Sequence, residues 1–523
     1  MSVHWIDMST TIKNIVVVGG GTAGWLSACI LAKQLNCSAS PDVSITLIES
    51  ADIPPIGVGE GTVPTMRETL QLIGVDEADF IKSCDVTFKQ SIQFNDWLHA
   101  PTTNQRHSYH HLFNYPHTPG FDLTPYWLMA EKKHSYSEYV SFQTAICELN
   151  LGPKRMTDRP YQSSLAYAYH LDAGKFASFL AEHGQKSLGI KHVFGTIADV
   201  SLADDGSIHT LFCQDGRQLS ADFYVDCSGF SARLISETLK VKFVDKGDQL
   251  LVDRALALQV PYSDSDKEIP PFTISTAHEA GWTWDIGLTQ RRGVGYVYSS
   301  SHTSDERAEQ ILRQYIGEEC AGLSVRKIQM KIGYREKFWH KNCVAIGLAA
   351  GFVEPLEATA LLTVEATAKL LAEKLPTNFD GMAYAEKSFN SISRYAWDRV
   401  IDFIKLHYYL SKRTDHKFWL DNTDPSTAPD SLLEKLAYWQ YNLPSASDFA
   451  SKYEVFQLEN YQYVLYGMDF KTQINDITSR FPYANQADIA ANQLSQHAKK
   501  MSKQLQSHRK LINNIKQYGI NKI

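Results

Sequence analysis

The chain has 523 residues, a formal net charge of −7, and 44% hydrophobic and 21% charged residues, the composition of a globular protein long enough for two structural modules. Its acidic balance, with no dense basic stretch to offset it, excludes general attraction to nucleic acid or an anionic membrane. Its eight cysteines form no CxxC or Cys/His cluster at metal spacing, which excludes a zinc site and a disulfide framework and points to a reducing compartment.

The opening "MSVHWIDMSTTIKN" lacks a cationic start followed by an apolar run, and no stretch of about eighteen apolar residues occurs. The expectation is a cytoplasmic protein without a membrane span. From Ile15, "IVVVGGGTAGWLSACILAKQL" reads as a strand, a glycine turn and an amphipathic helix, and "DVSITLIES" as a second strand ending at Glu49. Gly19, Gly21 and Gly24 form GxGxxG between strand and helix. That arrangement lets the backbone approach a pyrophosphate, whose charge then sits at the helix N-terminus. Glu49 is placed to accept hydrogen bonds from an adenosine ribose. A second glycine-rich loop, "IPPIGVGEGTVP", offers Gly57, Val58 and Gly59 as further cofactor contacts.

In "TFKQSIQF", alternation puts Phe88, Gln90 and Ile92 on one face and Lys89 on the other; taken alone, Lys89 is a solvated strand lysine. Aromatic-rich insertions follow, including "RHSYHHLFNYPHTPGFDLTPYWL". "ADFYVDCSGF" is a strand ending in small residues and carries Asp226. "GWTWDIGL" sets Trp282 and Trp284 on one face with Asp285 turned away, and core packing is its simplest reading. "NCVAIGLAAGFVEPLEATALLTVEATAKLLAEKL" holds a strand ending near Gly347 and a long helix. Pro355 suits an early helical position, so Glu357 is expected in the first turn, where an acid is ordinarily only a favourable dipole partner.

A parallel sheet would bring these strand ends to one crevice. NAD alone requires neither the second loop nor the "DCSGF" strand end, whereas a long, bent FAD would use both. No second strand-GxGxxG-helix unit for NAD(P)H is evident, so flavin reduction falls to another protein. Beyond about residue 380 the pattern is mainly helical. In the tail from Ile489, Met501, Leu505, Ile512 and Ile515 share a helical face expected to dock on the chain's own body. The expected fold is α/β: a Rossmann-like FAD-binding module of the flavin monooxygenase type with aromatic-rich insertions, and a mainly helical C-terminal module. The expected division is 1–380 for the FAD and catalytic module and 381–523 for helices completing the substrate pocket.

The segments "GGGTAGW", "GVGEGTVP", "TFKQSIQFNDW", "YHHLF", "LTPYWL", "GWTWDIG", "AIGLAAGFVEPLEAT", "IDFIKLHYY" and "YQYVLYGM" occur in one order from about residue 12 to about 470. In this the chain resembles the flavin-dependent halogenases of the tryptophan halogenase family. The resemblance implies that FADH2, supplied by a separate NAD(P)H-dependent flavin reductase, and O2 oxidise chloride or bromide to hypohalous acid. That oxidant crosses an internal tunnel to an electron-rich arene in a second chamber. The match places the Lys89 ammonium or amine in that chamber, as a hydrogen-bond donor to hypohalous acid or as a haloamine. It makes Glu357 the base for the arenium proton, Thr359 and Ala360 the halide site, and Trp282 and Trp284 the partition between flavin and substrate. His111 and Phe113 match residues that stack on an indole, and Tyr461 matches one of a tyrosine pair that grips the amino-acid end. The resemblance implies no metal, and a monomer or homodimer.

The chain departs from the family at Gly287, where proline is common, and at Ala358 and Ala360, where many members have serine and glycine. Gln462 and Met468 fall at the second tyrosine and at the carboxylate that holds a free amino acid's ammonium. Losing that carboxylate removes a charge-assisted hydrogen bond worth about 1.5–3 kcal/mol, so indole-like arenes are expected over free tryptophan. Two alternatives share the fingerprint: a flavin-dependent aromatic hydroxylase, which has no use for the tryptophan pair with Lys89 and Glu357, and a non-catalytic FAD-binding protein.

Overall fold

Asn14–Val18 is the central strand of a six-stranded sheet, parallel to Ser44–Glu49 on one side and Phe223–Asp226 on the other. Lys191–Phe194 and Cys343–Ala345 extend it in parallel, and Trp339–His340 closes one edge antiparallel. The computed structural model describes residues 11–520 apart from 40–41, 53–58, 104–105, 131–133 and 450. Four of the parallel strands therefore end side by side at Val18, Glu49, Asp226 and Ala345, the crevice expected from sequence.

The first helix, Thr22–Gln34, is buried along Gly24–Ala32. It is apolar around its circumference rather than amphipathic, because it lies between the sheet and the helices Ala173–Leu188 and Thr359–Lys374. A second, seven-stranded sheet carries the tryptophan pair. Its strand Gly281–Gly287 is buried at every position and lies between Thr273–His278 and Arg291–Tyr298; Ser91–Asn95 and Ser108–Leu112 complete that edge.

A small sheet of Gly59–Gly61, Ala168–Asp172 and Thr87–Lys89 meets the second sheet where Gly59–Gly61 contacts Gly281–Gly287 and Arg291–Tyr298. The single alternation expected through Lys89 to Ile92 breaks at Gln90, whose N–H donates to Pro271 O at 2.7 Å. The chain changes sheets there, so Lys89 and Ile92 line the same cavity instead of facing apart.

The expected division at residue 380 falls in the connection between the helices Thr359–Lys374 and Met382–Tyr409. Buried side chains on both sides, from Ile15 through Trp397 to Ile515, form one continuous cluster. The tail is two helices, Ala484–Ser502 and His508–Tyr518, because the Ser507 hydroxyl caps the second by accepting from Lys510 N–H. Both dock on the body: Met501 and Leu505 pack with Ile146 and Leu165, while Ile512 and Ile515 join the main core. No described helix is long and apolar enough to cross a membrane.

Candidate active site

The fingerprint glycines each answer a separate constraint. Gly19 has φ 112°, and a Cβ there would lie 2.3 Å from Cys227 O; on Gly24 it would lie 1.8 Å from Gly19 O. Only glycine permits that backbone and that approach of helix to strand. Gly21 instead faces open space at the N-terminus of Thr22–Gln34, whose first turn has no acidic residue and no side-chain cap. Uncapped N–H groups there form an anion cradle.

The cradle opens into a cavity of about 1790 Å³ that Glu49, Gly59 and Gly347 also line, larger than the roughly 300–1,000 Å³ typical of small-ligand pockets. Its size, the open Gly21 and the strand-end carboxylate fit FAD. Glu49 Oε1 accepts from His192 Nε2 at 2.7 Å, which orients it. Gly57 and Val58 lie outside the described residues.

Asp226 does not line the cavity. Its carboxylate accepts from Ser228 N and Oγ and from Leu234 N and Ile235 N, so it shapes the loop that follows while Cys227–Ser231 reach the cavity. The expected Asp226 side chain is thus not brought to the cavity wall. Glu60, not singled out in the sequence, also lines the cavity, and burial raises its carboxyl to about 7.

Lys89 and Glu357 line the same cavity. Lys89 is 1% exposed, and its Nζ donates to Thr62 O at 3.1 Å. Burial lowers its ammonium to about 8, opposed by the nearby Glu357 carboxylate. It is no solvated strand lysine.

Glu357 is not in the first turn of a helix. Its φ is 63° and that of Ala358 is 56°, and the helix begins only at Thr359. Two successive left-handed residues that are not glycine are costly, at about 1–2 kcal/mol each. Burial would raise the Glu357 carboxyl, but it is outweighed by His111 and His407, which hold it below the usual carboxylate range. His111 Nδ1 donates to Oε1 at 2.8 Å and His407 Nε2 to the same oxygen at 2.9 Å. His407 lies inside the quoted "IDFIKLHYY" but had no signal of its own in the sequence; only the packing of Met382–Tyr409 brings it here.

Thr359 and Ala360 line the cavity at the start of Thr359–Lys374, where Ala358 offers no side-chain cap. The first-turn N–H groups can therefore meet a small anion. Trp282 and Trp284 line it too, with ring centroids 6.5 Å apart and planes at 63°, while Asp285 on the opposite face pairs with Arg292. Gly287 is not a point of looseness: its carbonyl accepts from Thr87 Oγ1 at 2.6 Å, and a Cβ there would lie 2.5 Å from Ile269 Cγ2.

None of the three substrate candidates, His111, Phe113 and Tyr461, is among the residues that line the cavity. Phe113 lies with its ring centroid 5.2 Å from Lys89 Nζ. His111 is engaged edge-on with Glu357, and its Nε2 lies 3.1 Å from Asn460 Oδ1. Tyr461 is fully buried against Phe403, Trp439 and Phe449, and its hydroxyl has no hydrogen-bond partner among the described residues; it does not line the cavity. Gln462 Nε2 donates to Thr124 Oγ1 at 3.2 Å and Met468 is buried, so neither offers a carboxylate. The nearest acid on that helix is Glu459, which accepts from Asn460 Nδ2 at 3.1 Å.

The tryptophan halogenase family model matches residues 14–482. The chain is 33% identical over 474 residues to tryptophan 6-halogenase SttH of Streptomyces toxytricini, covering 87% of this chain and 88% of that one. It is 32% identical over 487 residues to tryptophan 7-halogenase RebH of Lentzea aerocolonigenes, covering 88% and 90%. The crystal structure of a tryptophan halogenase from Shewanella frigidimarina NCIMB 400 superposes with a TM-score of 0.95 at 41% identity, covering 99% of this chain and 100% of that one. The chain belongs to the tryptophan halogenase family and is a flavin-dependent halogenase.

Proposed function

We propose that the protein halogenates an electron-rich arene of the indole type, using FADH2 from a separate reductase, O2, and chloride or bromide. The observation that carries this reading is that Lys89 and Glu357 line the same cavity as the Gly19–Gly21 cradle, and that Trp282 and Trp284 line it too. The cradle, Glu49, Gly59 and Gly347 would hold FAD, whose reduced form would activate O2, the oxidant that turns halide into hypohalous acid.

The uncapped N–H groups of Thr359 and Ala360 attract the halide. The tryptophan pair keeps a ring-sized substrate away from the flavin while a small oxidant passes. Lys89, an ammonium at neutral pH, donates to the hypohalous oxygen and gives it a proton as the halogen–oxygen bond breaks and the carbon–halogen bond forms, so that water leaves. Glu357 then takes the ring proton and restores aromaticity. Both histidines engage Oε1, which leaves Oε2 for that proton.

Relatives named as tryptophan halogenases support an indole ring, and Gln462 and Met468 support an indole without a free amino-acid end. Incubation with an arene panel, chloride and bromide in competition, O2, FAD, NADH and a flavin reductase, read by mass spectrometry, tests the reading. Halogen isotope patterns on indole-like products are expected. Hydroxylated products without halogen would overturn it.

A further inference from the structure

Trp282 is gripped by a buried acid that the reaction scheme does not use. Glu354 is fully buried, three residues before Glu357. Its Oε2 accepts from Trp282 Nε1 and from Tyr408 OH, each at 2.6 Å. Its Oε1 is buried with no hydrogen-bond partner among the described residues. Lys405, also buried, influences it electrostatically but donates to Asn422 and Thr427.

A carboxyl in such a place is costly unless its hydrogen bonds do something an apolar residue could not. The donors identify what that is. An indole has one directional polar group, its N–H, so a carboxylate on that atom fixes how the ring stands in the cavity wall. Tyr408 fixes the carboxylate in turn, and Trp97 packs edge-on against Tyr408, with centroids 5.1 Å apart, and tilted against Trp282 at 6.1 Å. Neighbours on one helix thus hold two acids: His407 holds Glu357 and Tyr408 holds Glu354.

We propose that Glu354 is a positioning residue that clamps the Trp282 indole and thereby sets how much oxidant crosses the partition to Lys89. The inference rests on the partition role given to Trp282 above. Its first test does not need turnover. In flavin-free, isotope-labelled protein, the Trp282 indole N–H, identified by its loss in Trp282→Phe, should exchange slowly with solvent. Glu354→Ala should speed that exchange several-fold, up to about tenfold, the change expected when a buried hydrogen bond is lost. Glu354→Gln keeps the shape and an acceptor oxygen and should speed it less; it serves alone should the alanine variant not fold. Unchanged exchange in these variants would overturn the clamp.

In turnover, Glu354→Ala should raise the ratio of hydrogen peroxide released to halogenated product, and Glu354→Gln should largely restore it. Trp282→Phe should raise the ratio as Glu354→Ala does, and the double variant should add nothing further. A wild-type ratio in Glu354→Ala with only a slower rate, or additive effects in the double variant, would overturn the coupling role. Failure of the wild-type protein to halogenate any arene would instead overturn the proposed function, with the exchange result still deciding the clamp.

Discussion

His407 holds Glu357 through Nε2 at 2.9 Å while its Nδ1 donates to Phe403 O at 2.9 Å. The carbonyl accepts from Nδ1, so Nε2 is the ring atom left for the contact with the carboxyl. His407→Phe removes it and leaves His111 as the remaining histidine on Oε1. The expected result is a kcat lowered about tenfold or more, the scale of one hydrogen bond to a charged group, with the flavin dissociation constant unchanged. Single-turnover halogenation and flavin titration check it.

Glu357→Gln should slow halogenation by at least about a hundredfold, the lower range for loss of a general base. An amide cannot take the ring proton. Product formation in single turnover is the measurement, and a wild-type rate would remove the assigned role.

Lys89→Ala should abolish product while FAD still binds. In the wild-type protein the ammonium is present below its value of about 8 and is lost as pH rises through it. Halogenation should therefore fall along an alkaline limb near pH 8. A rate that instead rises through that range would assign the neutral amine, and hence a haloamine, to the reaction.

Gly295→Ala should disturb the partition from behind. A Cβ at Gly295 would lie 2.1 Å from Trp284 Cη2 and 2.6 Å from Leu256 O. Overpacking of this kind costs about 1–3 kcal/mol, and the ring must shift into the cavity. Denaturant unfolding should report the lost stability, and flavin titration a weakened cofactor affinity.

Glu365 is buried, with Thr69 Oγ1 donating to its Oε2 and no partner for Oε1 among the described residues. Burial raises its carboxyl to about 7. A carboxyl whose value rises on folding favours the folded state most below its unfolded value, and that contribution is lost as pH climbs through about 7. Glu365→Gln should therefore stabilise the protein at pH 8, on the order of 2 kcal/mol, and give no gain at about pH 5. Thermal melts at the two pH values check the sign.

The sequence made the dinucleotide half of the site legible because GxGxxG is local: strand, turn and helix sit within one short stretch, and the constraints on Gly19, Gly21 and Gly24 arise there. It also placed Lys89, Glu357 and the tryptophan pair, through resemblance. It did not reveal that Glu357 precedes its helix, since a left-handed glutamate violates the backbone preference any local reading relies on. Nor did it reveal His407 or Glu354 as partners, because each acts across the packing of distant elements. Asp226, His111, Phe113 and Tyr461 fall outside the cavity lining for the same reason: a shared motif position fixes where a residue sits, while neighbouring side chains decide whether it faces the cavity.

The left-handed pair at Glu357 and Ala358 has a bearing on engineering. A glycine at 358 would relax the turn and ease folding locally, yet it would loosen the backbone that aims the carboxylate. Selection for heat tolerance alone should thus drift toward glycine at this corner and lose catalytic rate, whereas selection for turnover should keep a side chain there.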